Sequence, residues 1–356
     1  MLFNSLYMLL PFLFGFILVY SILSLTLGDE GVQVSSNQVA PTSKKVHPLF
    51  KLKVPDKVFL MSFAQPITKQ GCRSLGTALK QGYTPVISTG KLFNITKDGT
   101  KSVDVLNELK TFKPKVIMST IESDLVGEED LIIVADFFDV LYLQNHKTFI
   151  EKFLEFENKG KRVVFGAEMH YHPFYPGEYD CYNLKPEKVF ELFDNLFGKD
   201  RKVRNLNSGF FAGRKKYMRD FVVSWNWRRR IASDGKWCKD DQGLASQVLL
   251  QNSLWMGLDS NNSLVINTFK VDVKDLEFSK SGGGAYLFDK RTNSFPCTVH
   301  FNGDAWQEGQ GVKQKWVFEE YFKEYPFKLL DNLQFHLDGQ PVTFHHACSS
   351  FDLKTY

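Results

Sequence analysis

The stretch LIIVADFFDVLYL, Leu131 to Leu143, sets two carboxylates, Asp136 and Asp139, inside an otherwise apolar run. An ionised carboxylate buried without a partner costs several kcal/mol or more, so a folded chain keeps one only where a cation, a donor or water meets it. Side chains at i and i+3 of a straight strand point to opposite faces, which would keep the two apart. Ending the strand at Ala135 and turning the backbone there lets both converge. Two carboxylates on such a turn suit a hard divalent cation. The competing reading has each one capping a turn or pairing with a lysine.

Outward from this stretch the chain alternates short apolar runs with segments of helical spacing. VFLMSFA (Val58 to Ala64) and TPVIST (Thr84 to Thr89) have strand length, and RSLGTALKQGY lies between them. A helix is predicted around Val103 to Thr111, another in KTFIEKFLEFENKG (Lys147 to Gly160), then the strand RVVFGAE (Arg162 to Glu168). Helices near Pro186 to Phe197 and Lys216 to Arg229 follow, with SLVINTF (Ser263 to Phe269), a GGG loop (Gly282 to Gly284) and the late strand TVHFNG (Thr298 to Gly303). This order predicts an α/β fold, a mostly parallel sheet flanked by helices. Ligands in such sheets bind at the carboxyl ends of strands, where Asp136 falls.

Bulk composition narrows the class. Of 356 residues, 24% are charged and 43% hydrophobic, as in globular proteins. The net charge of +4 is spread along the chain apart from Arg228, Arg229 and Arg230, so nucleic acid is not an implied partner. The five cysteines contain no C-x-x-C pair, which argues against structural zinc. Up to two disulfides are possible, with no pairing readable, and buried small hydrophobes remain the competing reading.

Met1 to Leu27 carries no charged side chain. As a helix, Leu6 to Leu27 would cover about 33 Å, enough to cross a bilayer. An uncleaved membrane helix over residues 1–27 is expected, in preference to a cleaved signal peptide or a core helix. Residues 28–55 read as a flexible stem, residues 56–325 as one catalytic-type domain, and residues 326–356 as a tail without a clear reading. The sequons at Asn94 and Asn261 suit a lumenal body.

Other residues invite chemistry. His300, near the end of a late strand, reads either as a core or surface histidine or as a ligand, and His170, His172, His345 and His346 compete with it. Carboxylates plus one imidazole would suit Mn²⁺ better than Ca²⁺ or Zn²⁺. Asp240 and Asp241 either begin a helix, where the dipole favours acids, or handle substrate hydroxyls and a developing cation. Asn207, Ser208 and Gly209 form either a plain turn or a polar turn that contacts a sugar.

VADFFDV, VVFGAE, RNLNSGFFAG, DDQ and VHFNGD occur in this order. In that respect the chain, over about Lys57 to Gly311, resembles the glycosyltransferase domain of lysyl hydroxylases and the related collagen glycosyltransferases. The resemblance implies a GT-A fold with a Rossmann-like sheet that binds a UDP-sugar with Mn²⁺. It implies that Asp136, Asp139 and His300 are the metal ligands, and that Asp240 and Asp241 face the donor sugar and acceptor. It also implies that Phe138, Asn207, Ser208 and Gly303 belong to segments that line the donor site.

Two departures stand out: Phe138 replaces the tyrosine of the family's D-x-Y-D, and GAEMHYHPFYPGEYDCY lacks its C-W-P. The expected activity is transfer of glucose or galactose from UDP-glucose or UDP-galactose to a glycoprotein or collagen-like acceptor. A membrane-anchored, type II protein with its catalytic domain in the lumen of the endoplasmic reticulum or Golgi is the expected setting. A non-catalytic nucleotide-sugar or carbohydrate-binding module is the alternative. A two-metal phosphoesterase would need a denser ligand set.

Overall fold

Each face of the central strand LIIVA has its own apolar cover, which explains why the run is apolar throughout. Ile132 and Val134 join one buried cluster, while Leu131, Ile133 and Ala135 join another. A strand buried on both faces loses the polar alternation of a half-exposed one. The computed structural model describes residues 53–64, 67–89, 113–169, 186–198, 203–231, 240–281, 284–303, 321 and 327–353. The expected membrane helix and stem up to residue 52, the helix at 103–111 and residues 282–283 of the GGG loop lie outside them.

The main sheet has eight strands: β1 (Val58–Phe63), β2 (Thr84–Ser88), β3 (Leu131–Ala135), β5 (Val163–Glu168), β6 (Asn205–Arg214), β7 (Met256–Asp259), β12 (Gln334–Leu337) and β13 (Gln340–Thr343). Their order is β13-β12-β2-β1-β3-β6-β5-β7. Four of the seven neighbouring pairs are parallel (β12 with β2, β2 with β1, β1 with β3, β5 with β7), and three are antiparallel. One face is covered by helical residues 113–121 and the helices Pro186–Phe197, Lys215–Ile231 and Asp241–Gln251, which supply Ile117, Phe193, Phe221 and Leu244. The other carries helix His146–Asn158, through Phe149 and Phe153.

A smaller three-stranded sheet lies against that second face. Its strands are β4 (Val140–Tyr142), β11 (Thr298–His300) and β8 (Val265–Asn267), in the order β4-β11-β8. Val140, Tyr142 and Val265 share the cluster of Leu131 and Ile133. The antiparallel hairpin of β9 (Leu276–Ser281) and β10 (Gly284–Asp289) completes the strands. Among the described residues no helix is long and apolar enough to cross a membrane.

Two local readings change. Asn207, Ser208 and Gly209 are not a turn but part of β6, where its register with β5 shifts between Phe165 and Gly166. Such a bulge re-aims backbone groups without ending the strand. Residues beyond Pro326 enter the fold: β12 pairs in parallel with β2, and Cys348 is disulfide-bonded to Cys72 on helix Lys69–Lys80. Cys297 is buried and free.

Candidate functional site

β3 stops at Ala135, yet Asp136 still donates its N–H to the carbonyl of Gly209 at 2.9 Å, so the chain turns from an anchored point. The Phe137 ring then tucks against Gly71, where a Cβ would stand 2.2 Å from Phe137 Cε1. Val140 restarts pairing as β4, opposite His300 of β11, and Phe301 N–H donates to the Asp139 carbonyl at 2.8 Å. These constraints bring Asp136, Asp139 and His300 together, with one ligand atom of each within 4.8 Å of the others.

His300 Nε2 lies 3.6 Å from Asp136 Oδ2 and 3.5 Å from Asp139 Oδ2. The imidazole is 2% exposed and the Asp136 carboxylate 45%, so the histidine forms the floor and the carboxylates the open side. Burial lowers the affinity of His300 for a proton, but the Asp139 and Asp136 carboxylates outweigh it and raise its pKa above the ordinary 6.5. Gly209 keeps the space clear: a Cβ there would come 2.3 Å from His300 Cε1 and 2.6 Å from Asp136 Oδ2. Two oxygen donors and one nitrogen donor around a gap that only glycine leaves open fit a divalent transition metal.

Two basic or acidic groups that the sequence did not single out complete the electrostatics. Lys113 Nζ, at the start of helical residues 113–121, reaches Asp136 Oδ1 at 3.2 Å, Asp241 Oδ2 at 3.4 Å and the Ser208 carbonyl at 3.1 Å. Burial would lower its pKa, but the two carboxylates hold it above the usual lysine range. Glu168, at the end of β5, is buried and pushed up to about 7 by that burial, although Gln242, Asn207 and Asn302 donate to it and His300 lies nearby. Gln242 Nε2 meets Glu168 Oε1 at 2.7 Å, and Asn302 Nδ2 donates to Oε2.

The remaining predicted residues divide by role. Asp240 is the N-cap of helix Asp241–Gln251, accepting from the N–H groups of Gln242 and Gly243 at 3.1 and 3.0 Å. Asp241, in the first turn, faces Lys113. Asn207 Oδ1 accepts from Gly209 N–H at 2.9 Å, and Ser208 N–H donates to Gln242 Oε1 at 3.2 Å, so the bulge locks to the same helix. Phe138 is half-buried and packs edge-on to Phe137, 5.4 Å between centroids. Gly303 adopts φ +82° beside the Phe269 ring, which turns the chain just after Asn302. Glu168, Gln242 and Asn302 lie in the quoted motifs VVFGAE, DDQ and VHFNGD without being singled out as site residues, and Lys113 lies outside every quoted motif.

An acidic cluster with one buried lysine, set at the carboxyl ends of β3 and β5, defines an anion-handling, cation-accepting site of an α/β enzyme type. Comparison with known proteins narrows this. The family model described as PLOD GT domain matches residues 111–309, more than half of the 356-residue chain, and the chain belongs to that family. It therefore carries a glycosyltransferase domain of the lysyl hydroxylase and collagen glycosyltransferase family. It is 29% identical over 200 residues to a multifunctional procollagen lysine hydroxylase and glycosyltransferase of Caenorhabditis elegans, a likeness covering 54% of this chain and 24% of that protein. The chain thus matches about a quarter of the length of that relative.

Proposed function

We propose that the protein is a Mn²⁺-dependent glycosyltransferase of GT-A type that moves glucose or galactose from UDP-glucose or UDP-galactose to a hydroxyl of a protein- or glycan-linked acceptor. The observation that carries this reading is the convergence of Asp136, Asp139 and His300 within 4.8 Å in a chain of this family. When bound there, a divalent ion supplies Lewis-acid neutralisation of diphosphate charge.

The chain's own groups do the rest. Lys113 holds a fixed positive charge beside the same carboxylates, and it stabilises negative charge that grows on a leaving diphosphate as the glycosidic bond breaks. Asp241 keeps that ammonium in place and presents negative charge to an anomeric carbon that becomes oxocarbenium-like. Glu168, with its proton equilibrium near neutrality and its carboxyl held by Gln242 and Asn302, is matched to hydrogen-bonding or proton exchange with a sugar or acceptor hydroxyl.

A collagen-like acceptor is the reading that the name of the worm relative suggests. We also assign residues 1–27 as a type II membrane anchor with the catalytic domain in the lumen of the endoplasmic reticulum or Golgi. The Cys72–Cys348 disulfide supports an oxidising compartment, and the sequon residue Asn261 lies exposed on a turn.

The test is UDP release by the purified full-length chain from UDP-glucose and UDP-galactose, with Mn²⁺ and with chelator. Metal-dependent release from at least one donor is expected, and Asp139→Ala should lower it by about 10²-fold or more. No metal-dependent release from any UDP-sugar would overturn the enzyme reading.

A further inference from the structure

We infer that Asn267 is the positioning residue that sets the protonation pattern and ring angle of His300, so that His300 Nε2 presents a lone pair to a metal. The inference rests on the metal reading above and extends it to a residue outside the Asp136, Asp139 and His300 set.

Strand pairing brings the two residues together. β8 and β11 run parallel with His300 registered against Asn267, and both side chains are buried at the end of the small sheet that also begins β4. Asn267 Nδ2 donates to the Ala167 carbonyl at 2.9 Å. A carbonyl oxygen only accepts, so the amide nitrogen of Asn267 must face Ala167 and Oδ1 must face the other way. Oδ1 lies 2.7 Å from His300 Nδ1 and also only accepts, so Nδ1 carries the hydrogen. Turning the amide over would set its oxygen against the Ala167 carbonyl, two acceptors facing each other, and the bond that fixes the amide would be lost.

With Nδ1 committed as a donor, the neutral ring has its lone pair on Nε2. That atom points between Asp136 Oδ2 and Asp139 Oδ2, at 3.6 and 3.5 Å. A hydrogen bond from the far nitrogen of a metal-binding histidine fixes its tautomer and orientation and raises its basicity as a ligand. The neighbouring backbone is shaped to admit Asn267: a Cβ on Gly166 would stand 2.9 Å from both Asn267 Nδ2 and Val265 Cγ1. Ala167 therefore fixes Asn267, Asn267 fixes His300, and the site receives an imidazole in one orientation.

The experiment measures Mn²⁺ affinity directly, by electron paramagnetic resonance of free Mn²⁺ titrated with the full-length protein, beside the melting temperature of the metal-free protein. Asn267→Leu keeps the size and removes the acceptor, and it should weaken Mn²⁺ binding about 10- to 100-fold. Asn267→Asp keeps an oxygen opposite Nδ1–H but sets its other oxygen against the Ala167 carbonyl, so it should recover part of that loss, which a purely structural role for the side chain does not predict. If Asn267→Leu does not fold, Asn267→Ser replaces it, since its hydroxyl is too short to reach Nδ1, and the same loss is expected. A folded Asn267→Leu or Asn267→Ser variant with wild-type affinity overturns the inference, as does an equal loss in Asn267→Asp. Absence of Mn²⁺ binding by the wild-type protein is a different result: it removes the metal reading itself.

Discussion

The two ends of β3 each hold a buried cluster of charge, and the clusters are built on opposite plans. At one end Leu131 pairs with Arg214 of β6; at the other Ala135 pairs with Phe210, one residue before Asp136. Arg214 donates to Glu157 Oε1 and Oε2 at 2.8 and 2.6 Å, to Glu129 Oε2 at 3.0 Å and to the Lys53 carbonyl at 2.7 Å. Its fork is filled, and Glu157 is matched to it. The other end gathers Asp136, Asp139, Glu168 and Asp241 around the basic side chains of Lys113 and His300. A balanced, saturated cluster fixes strands in place, whereas a surplus of acid invites a cation from outside.

The largest expected effect tests the saturated end. Glu157→Ala leaves the Arg214 guanidinium buried without its main partner, and loss of one member of a buried pair costs about 3–5 kcal/mol. Chemical denaturation should show that loss, while UDP release per folded molecule stays at the wild-type level. A comparable fall in specific activity would show that the two ends of β3 are coupled and would break the contrast.

Acid and base should then move the two ends in opposite directions. Glu168, pushed up to about 7 from an ordinary 4.5, and His300, raised above 6.5, both bind a proton more tightly in the folded protein than in the unfolded one. Their contribution is complete below 4.5 and 6.5 respectively, and it is lost as pH rises through about 7 for Glu168 and through a value above 6.5 for His300. The metal-free protein should therefore lose stability at the site end on going from mildly acidic to mildly alkaline solution. At the other end the Lys216 hydrogen bond and then the charges of Lys216 and Arg214 hold Glu129 below its ordinary 4.5, so that contribution is present at neutral pH and lost as pH falls below 4.5. Mn²⁺ at about 100 times its dissociation constant should add about 2.7 kcal/mol. With His300 as a ligand, a metal would have to displace its proton, and the affinity should then rise with pH. Melting curves with chelator and with Mn²⁺ across this range measure both effects, and a metal affinity independent of pH would remove His300 from the ligand set.

How far the sequence revealed each cluster follows from how local its signals are. Asp136 and Asp139 were readable because two carboxylates in five-residue reach of an apolar strand conflict with straight β geometry. His300 was suggestive alone and gained its role from the resemblance of whole motifs. Lys113 contacts Asp241 across 128 positions and Asn302 contacts Glu168 across 134, distances over which no periodicity or turn chemistry carries information. Asn207 to Gly209 read as a turn because Asn, Ser and Gly favour turns, and the strand on both sides overrode that preference with a bulge. The parallel pairing of β12 with β2 and the disulfide across 276 positions were illegible for the same reason of separation, whereas the β12–β13 hairpin turns locally at Asp338 and Gly339, a pair that favours such turns.

The smallest effect separates the two neighbours that the sequence treated as one catalytic pair. Asp240 spends Oδ2 on capping the helix, accepting from Gln242 and Gly243, whereas Asp241 directs Oδ2 to Lys113. Asn caps about as well as Asp, so Asp240→Asn should change stability by no more than a few tenths of a kcal/mol. UDP release should fall little, because the accepting oxygen remains. Asp241→Asn keeps the shape but removes the charge that holds the buried ammonium, and it should cost turnover by about 10-fold or more. Steady-state rates for the two variants, read beside their melting temperatures, decide between them. If Asp240→Asn were the more damaging substitution, its charge, and not its cap, would be what the site uses, and the acidic surplus at this end of β3 would extend one residue further than the geometry assigns.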